Sequence, residues 1–320
     1  MKISAYILIG LLALCSASCG HGANAVDNNK EATGDAAAPT SGSMMAGNVP
    51  TELPMPAVPD SLRTVEERAA YVALHYWDSM DFRNHALSLD TAFVEQNFAN
   101  FAAIMQMAPA ADAEKAVRTL LDSASADVGA LNLMSRTAEK YLDEPNSPMR
   151  DEETYIHFLR YLSTTPALDE YERLRPAHRL QEALRNRRGT VATDFEFVDR
   201  SGASRRLSEA VRRSEVTLLI FYDPDCEHCK EIIDALSRMS FTRGVGVLAI
   251  DAEDDAKAWD NTKGALPAGW TVGFATTPIL ERELYTLPAS PTLYVLAADG
   301  TVILKDPAPE QAVDYLRNLR

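Results

Sequence analysis

Cysteine is scarce in this chain: Cys15, Cys19, Cys226 and Cys229 are the only four in 320 residues. A chain of this length buries enough surface to hold a core without covalent staples, so a disulfide-built scaffold is excluded. Basic charge is scarce as well. The 31 lysines and arginines face 46 acidic residues, a net charge of −15 spread almost evenly before and after Thr190, and no basic field exists to attract nucleic acid. The one basic cluster, 173–188 (RLRPAHRLQEALRNRR), is interleaved with apolar residues at helical spacing and reads as a solvated helix face. No apolar run approaches the ~20 residues that cross a bilayer. Histidine is absent after His228.

What the N-terminus does hold is an export signal. Lys2 precedes the apolar run Tyr6 to Leu14 (YILIGLLAL), and small residues follow, the order of a secretory leader. Ser16-Ala17-Ser18-Cys19 resembles the lipobox of bacterial lipoproteins, although Ser16 stands where an aliphatic residue is more usual. The resemblance implies that residues 1–18 are removed and that Cys19 takes lipid; ordinary cleavage near Ser18 is the plainer alternative. Residues 19–60 are Ala, Gly, Asn, Ser and Pro with hardly a large apolar side chain before Met55. Such a stretch cannot bury enough surface to offset its ordering entropy and reads as a flexible tether.

Two textures follow. Over 61–188 apolar residues recur three and four apart, as in VEERAAYVALHYWDSM, DTAFVEQNFANFAAIMQM, AEKAVRTLLDSA and DEETYIHFLRYL, with breaks at Pro109, Pro145, Pro148 and Pro166. The pattern predicts an all-α domain of five or six helices, with Asp90, Asp112 and Asp151 as caps or first-turn acids. Tyr76, Trp77, Phe93, Phe98, Phe101, Tyr155, Phe158 and Tyr161 are its expected core. His75, His85, His157 and His178 are scattered rather than paired at ligand spacing. Over 189–320 short β-type runs alternate with helices: DFEFVD, VTLLIFY, GVGVLAID, WTVGFA and the hairpin PTLYVLAADGTVILK turning at Asp299-Gly300. Helices are expected at 226–239, 254–262, 278–285 and 310–319. Together they predict a mixed α/β sheet.

The apolar strand VTLLIFY runs into Asp223-Pro224-Asp225-Cys226, and an apolar-periodic helix begins at once. Cys226 therefore falls at a helix N-terminus, where unpaired N–H groups and the dipole favour a thiolate. Cys229, one turn on, faces the same side and can close on the first sulfur, which suits two-step thiol–disulfide exchange. A structural bridge across so small a loop would constrain the unfolded chain little.

With these residues in view, 190–320 resembles a thioredoxin-type domain of the exported, membrane-tethered sort that includes the TlpA-like proteins. The likeness is carried by ATDFEFVDRSG, the CEHC pair after its strand, and Ser290-Pro291-Thr292 opening the hairpin. It implies a thioredoxin-like α/β fold, a cis Ser290–Pro291 bond against the dithiol, and a substrate platform of Ser290, Pro291 and Thr292. It implies exchange of disulfides with exported proteins, a second dithiol protein as electron donor or acceptor, and no organic cofactor. Residues 141–155 and the junction RNRRGTVATDF resemble the uncharacterised domain that precedes a thioredoxin domain in lipoproteins of Bacteroides-type bacteria. Gly20-His21-Gly22 lacks the acidic run associated with surface export in such bacteria, which implies a lipid-anchored place in the cell envelope on the periplasmic side.

Two departures stand out: Asp225 and Ile220 occupy the positions where thioredoxin has a tryptophan before the first cysteine and a buried aspartate on the strand. Between the cysteines, Glu227 and His228 are expected to tune the potential together with Asp225. His228 favours the thiolate and the acids oppose it, so the redox poise stays open, with reduction preferred from the resemblance. Metal binding is not expected, because Cys226, His228 and Cys229 cannot all turn onto one ion from a single helix start. A peroxiredoxin would carry Thr or Ser where Asp223 stands. The rival from another class is a binding module, with the helical domain recognising a partner and the dithiol accessory.

Overall fold

The computed structural model describes residues 51–319 apart from 146, 240, 242 and 254. The signal segment, Cys19 and the tether as far as residue 50 lie outside the described residues. Packing begins earlier than the compositional boundary at 60: Leu53 is buried and its N–H donates to Asn97 Oδ1 at 2.8 Å. One apolar side chain and one satisfied amide seat the extended segment on a helix, so a flexible tether cannot run to residue 60.

The helical part contains α1 (Val65–His75), α2 (His85–Ser88), α3 (Thr91–Met105), α4 (Ala110–Ala124), α5 (Val128–Leu142), α6 (Glu152–Leu162) and α7 (Glu170–Leu184). Their starts are chemically marked. Thr64 and Asp169 form capping boxes with Glu67 and Glu172, while Asp90, Asp127 and Asp151 accept from first-turn N–H groups. Two of the seven escape the periodic pattern. α2 is too short to show one, and α5 carries Gly129, Asn132, Ser135 and Thr137, weak helix formers, so burial of Leu131, Leu133, Met134, Ala138 and Leu142 holds it. α7 continues through Pro176, and its Arg175 and Arg179 pair with Glu139 and Asp143 of the α5 region. The expected aromatics fill one core, in which Phe98 packs edge-on against Phe101 and at a tilt against Phe158 and Tyr141.

The rest is a seven-stranded sheet with two covered faces. In chain order come β1 (Glu196–Asp199), β2 (Ser204–Arg206), α8 (Leu207–Val211), β3 (Val216–Tyr222), α9 (Glu227–Ser237), β4 (Val245–Asp251), α10 (Ala256–Thr262), β5 (Thr271–Ala275), β6 (Thr292–Ala297), β7 (Val302–Lys305) and α11 (Pro309–Arg317). Across the sheet the order is β2-β1-β5-β4-β3-β6-β7. β3, β4 and β5 run parallel, and the flanking pairs are antiparallel. All seven residues of β3 are buried, as a continuous apolar run predicts for a strand covered on both sides. Gly273 is required by close approach: a Cβ there would stand 2.2 Å from the Phe197 ring. The helix expected over 278–285 is not formed. Ile279 and Tyr285 are both buried in the same core cluster, and the chain makes one turn between them, with Glu283 at φ 47°.

The helical part and the sheet meet through Lys305. Its ammonium donates to the Glu182 and Ala183 carbonyls at the end of α7, at 3.0 and 2.9 Å, and pairs with Glu152 at 3.0 Å. The side chain is 3% exposed, and the Glu182 carbonyl also accepts from the Thr286 hydroxyl at 3.0 Å. Replacing it by an apolar isostere leaves a carboxylate and two helix-end carbonyls without their cation. Lys305→Met is expected to cost about 3 kcal/mol, read as a lowered denaturant midpoint; an unchanged midpoint would show that the pair contributes nothing.

Candidate active site

The turn that delivers Cys226 is built by Asp223. Its Oδ1 accepts from the Asp225 N–H at 2.8 Å and its carbonyl accepts from the Cys226 N–H at 3.2 Å, an Asx-type arrangement that reverses the chain after β3. Cys226 is the N-cap of α9 rather than its first residue, with extended backbone. Its sulfur accepts from the Cys229 N–H at 3.3 Å, and the thiol donates to the Ser290 carbonyl at 3.6 Å. The Ser290–Pro291 peptide is cis. Both cysteines are free thiols; Cys226 is partly exposed, and Cys229 is fully buried among Ile220, Tyr222 and Ile233. Burial pushes the Cys229 thiol up to about 12, the Asp223 backbone hydrogen bond opposing and Cys226 adding to the rise.

The other site residues divide. Ser290 and Pro291 are half-buried beside the exposed sulfur, but Thr292 is buried, its hydroxyl donating to the Ala289 carbonyl at 2.6 Å. Thr292 braces the turn and its side chain does not face outward. Asp225, Glu227 and His228 are exposed. Glu227 pairs with Lys230 at 2.8 Å, and the His228 ring lies 3.6 Å from Glu231. Among the described residues no hydrogen bond runs from that ring to Cys226; at this position on the helix it points along the surface toward the next turn. No group of three His, Cys, Asp or Glu side chains positioned to hold a metal occurs among the described residues, and none of their helices is long and apolar enough to cross a membrane.

The helical part braces the loop that carries the cis bond. The Thr286 hydroxyl donates to the Glu182 carbonyl at 3.0 Å, the Asn186 amide donates to the Leu284 carbonyl at 2.8 Å, and the Tyr294 hydroxyl donates to the Thr286 carbonyl at 3.2 Å. A cleft of about 530 Å³ lies here, lined in part by Asp143, Arg179, Glu182, Thr286 and Pro288. Its cations are paired with its own acids, so it offers little free charge to a ligand.

Two buried groups behind Cys229 are missed by sequence reasoning. Tyr222 ends β3 and Asp251 ends β4, opposite each other in the parallel register. Asp251 is 0% exposed; Oδ1 accepts from the Glu253 N–H at 2.9 Å, and Oδ2 has no partner among the described residues. Burial pushes its carboxyl up to about 7, with Glu253, Asp223 and Asp255 adding like charge. An acid closing an apolar strand reads as the start of a turn, and nothing local marks it as buried.

A helix-capping thiol, a buried partner one turn on and a cis proline against them, set on a mixed sheet of this order, define a thioredoxin-like fold. One solved structure matches over most of the chain. A crystal structure of a thioredoxin-like protein from Bacteroides caccae is 32% identical with a TM-score of 0.74, over 82% of this chain and 97% of that one. The C-terminal domain of an uncharacterized protein from Bacteroides fragilis is 31% identical over 41% of this chain and 98% of that one, TM-score 0.39. The thioredoxin domain of a thiol-disulfide oxidoreductase from Bacteroides vulgatus is 14% identical over 41% and 98%, TM-score 0.32. No curated protein matches. Residues 21–186 match the model described as a domain of unknown function, DUF5106, and the chain belongs to that family.

The raised Asp251 carboxyl has a consequence for stability. The native state keeps this proton between about pH 4 and about pH 7, where the unfolded chain has lost it, so stability falls as pH rises through that window. Asp251→Asn removes the titration. The variant is expected to gain on the order of a few kcal/mol over the parent at about pH 8 and far less at about pH 4, measured by denaturant midpoints. An equal change at both pH values would mean that the carboxyl is not held neutral.

Proposed function

We propose that the protein is a thiol–disulfide oxidoreductase of the cell envelope, anchored through lipid on Cys19 and exchanging disulfides with exported proteins. The observation that carries the reading is the Cys226 sulfur, partly exposed, capped by the Cys229 N–H and set beside the half-buried Ser290–Pro291 segment. In the reducing direction, Cys226 as thiolate attacks one sulfur of a client disulfide and the other leaves as thiolate. The helix N-terminus lends its N–H groups to negative charge at that position. Cys229 then gives up its proton and attacks Cys226 Sγ; the second client sulfur leaves with the electron pair of its bond and takes a proton. The pair ends oxidised and the client reduced by two electrons, so a second dithiol protein must restore the pair. No organic cofactor enters the cycle.

Ser290 and Pro291 are assigned to the client platform because they flank the sulfur and are within reach from outside. Glu227, His228 and Asp225 are assigned a lesser part in setting the potential, acting through solvent. Reduction is the favoured direction on the resemblance to exported reducing proteins, and the periplasmic side on the character of residues 20–22.

Insulin reduction and scrambled-substrate assays test the reading. Cys226→Ser is expected to bring turnover to background, at least about a hundredfold down, while Cys229→Ala accumulates mixed disulfides on Cys226. Absence of cysteine-dependent turnover in both assays, with nothing covalently captured by Cys229→Ala, would sink the enzyme and leave a binding module.

A further inference from the structure

The loop that sets the Ser290 carbonyl against Cys226 also forms part of the wall of the cleft of about 530 Å³ between the helices and the sheet. Strand register fixes the separation of the two. Phe221, near the end of β3, stands opposite Thr292 at the start of β6, and Tyr294 stands opposite Lys305 at the end of β7. The Asp306 N–H donates to the Leu293 carbonyl at 2.9 Å. Cys226 and the Lys305–Asp306 wall therefore rise from the same end of the sheet, two strand spacings or about 10 Å apart. Pro288, which also lines the cleft, is two residues from Ser290, so their Cα atoms are at most about 7.6 Å apart. Pro288 and Ala289 are exposed, and an apolar path open to solvent leads from the thiol to the cleft. An extended chain advances about 3.3 Å per residue. The third or fourth residue from a cysteine bonded to Cys226 arrives there.

Thirteen of the seventeen residues that line the cleft belong to the helical part, so what it accepts is decided there. Pro145, Tyr155, Leu159, Ala183 and Pro288 give it apolar surface. Tyr155 is 4% exposed, and its hydroxyl has no hydrogen-bond partner among the described residues. Burial, with Asp143 and Glu139 adding negative charge, holds this phenol protonated well above its ordinary range. A buried donor without an acceptor is unfavourable, and a carbonyl of an entering chain satisfies it. The charges of the cleft are unequal: six acids line it against four cations, His178 aside. Arg150, Arg175, Arg179 and Lys305 are each paired with one of those acids. Glu144 is exposed and has no ion pair among the described residues. A basic side chain entering the cleft finds a free carboxylate; an acidic one finds no free cation.

We propose that this cleft is a client subsite: it holds the client chain three to four residues from the reacting cysteine and selects an apolar side chain followed by a basic one. The apolar side chain lies on Pro288, Leu159 and Ala183, the client backbone accepts from the Tyr155 hydroxyl, and the basic side chain pairs with Glu144. The wall is held still for the task, because the Thr286 hydroxyl and the Lys305 ammonium both donate to the Glu182 carbonyl at the end of α7. Acids continue toward the thiol, where Asp225 and Glu227 are exposed and Asp223 is half-buried, so the same sign of charge meets the client along its approach. The helical part thus chooses the client and the dithiol reacts with it.

The inference rests on the dithiol reading, and one experiment separates the two. The full chain carrying Cys15→Ser, Cys19→Ser and Cys229→Ala keeps Cys226 as its one thiol and is mixed with excess nonapeptide whose central cysteine is disulfide-bonded to thionitrobenzoate. The Cys226 thiolate attacks the peptide sulfur and a new disulfide forms; the old bond breaks, and thionitrobenzoate leaves with its electron pair. Three peptides are compared: one with leucine third and arginine fourth from the cysteine on both sides, one with glutamate in place of arginine, and one with glycine at all four positions. The first is expected to half-saturate the rate at a concentration about tenfold below the glycine peptide, and below the glutamate peptide as well. Glu144→Lys is expected to abolish the preference for arginine over glutamate, and Tyr155→Phe to raise the half-saturating concentration of the first peptide about threefold. Ellman's reagent, with no side chain to reach the cleft, gives each variant's reference rate. Absence of Cys226-dependent release from that reagent and from every peptide would overturn the dithiol reading itself. Equal half-saturation by the three peptides, or a preference that both variants leave as in the parent, would overturn this inference alone. Glu144 is exposed, so Glu144→Lys decides the matter if Tyr155→Phe does not fold.

Discussion

A single sulfur held between two backbone groups is the constraint on which the site depends. Cys226 Sγ accepts from the Cys229 N–H and donates to the Ser290 carbonyl, so the start of α9 and the loop before β6 must stay in fixed register. That register comes from β3, which pairs with β4 along its whole length and with β6 from Val216 to Phe221. Because β3 is buried end to end, neither the Asp223 turn nor the Ser290 loop can slide without moving the centre of the sheet. The local polar contacts are individually modest; burial of the strand keeps them in place.

The helical part acts on the same loop from behind. Thr286 and Lys305 both donate to the closing carbonyls of α7, and Asn186 bridges Leu284 and Thr193. Segment 189–192 adds backbone bonds to residues 300–302. What composition presents as a junction between two textures is a hydrogen-bonded seam, and it ends within a few residues of the cis bond. The helices are thereby tied to the thiol chemistry, although no side chain of theirs is among the candidate site residues.

Much of the fold was legible because its signals are local. Asp90 and Asp151 cap helices, VTLLIFY is a doubly covered strand, and Asp299-Gly300 turns a hairpin because capping, burial periodicity and turn chemistry act over a few residues. Where the reading failed, distant contacts had overridden local preference. α5 forms despite weak formers because its apolar face is buried, Leu53 is packed because Asn97 receives it, and 278–285 makes one turn because Ile279 and Tyr285 are anchored in one core. Within the site, the dithiol and the proline were visible as types at a spacing. The outward aim of His228 and the inward place of Thr292 were not, since both depend on which way a side chain turns.

The sequence by itself determined that two cysteines one helical turn apart would follow a buried strand, and that a proline would open a later one, because those features are written in residue type and periodicity. Only the tertiary structure decided that one thiol is reachable and the other sealed, and that Asp251 lies in the sealed layer beside Tyr222. Burial of a polar group is a property of everything packed around it, and strands far apart in the chain share a face only once the sheet has formed.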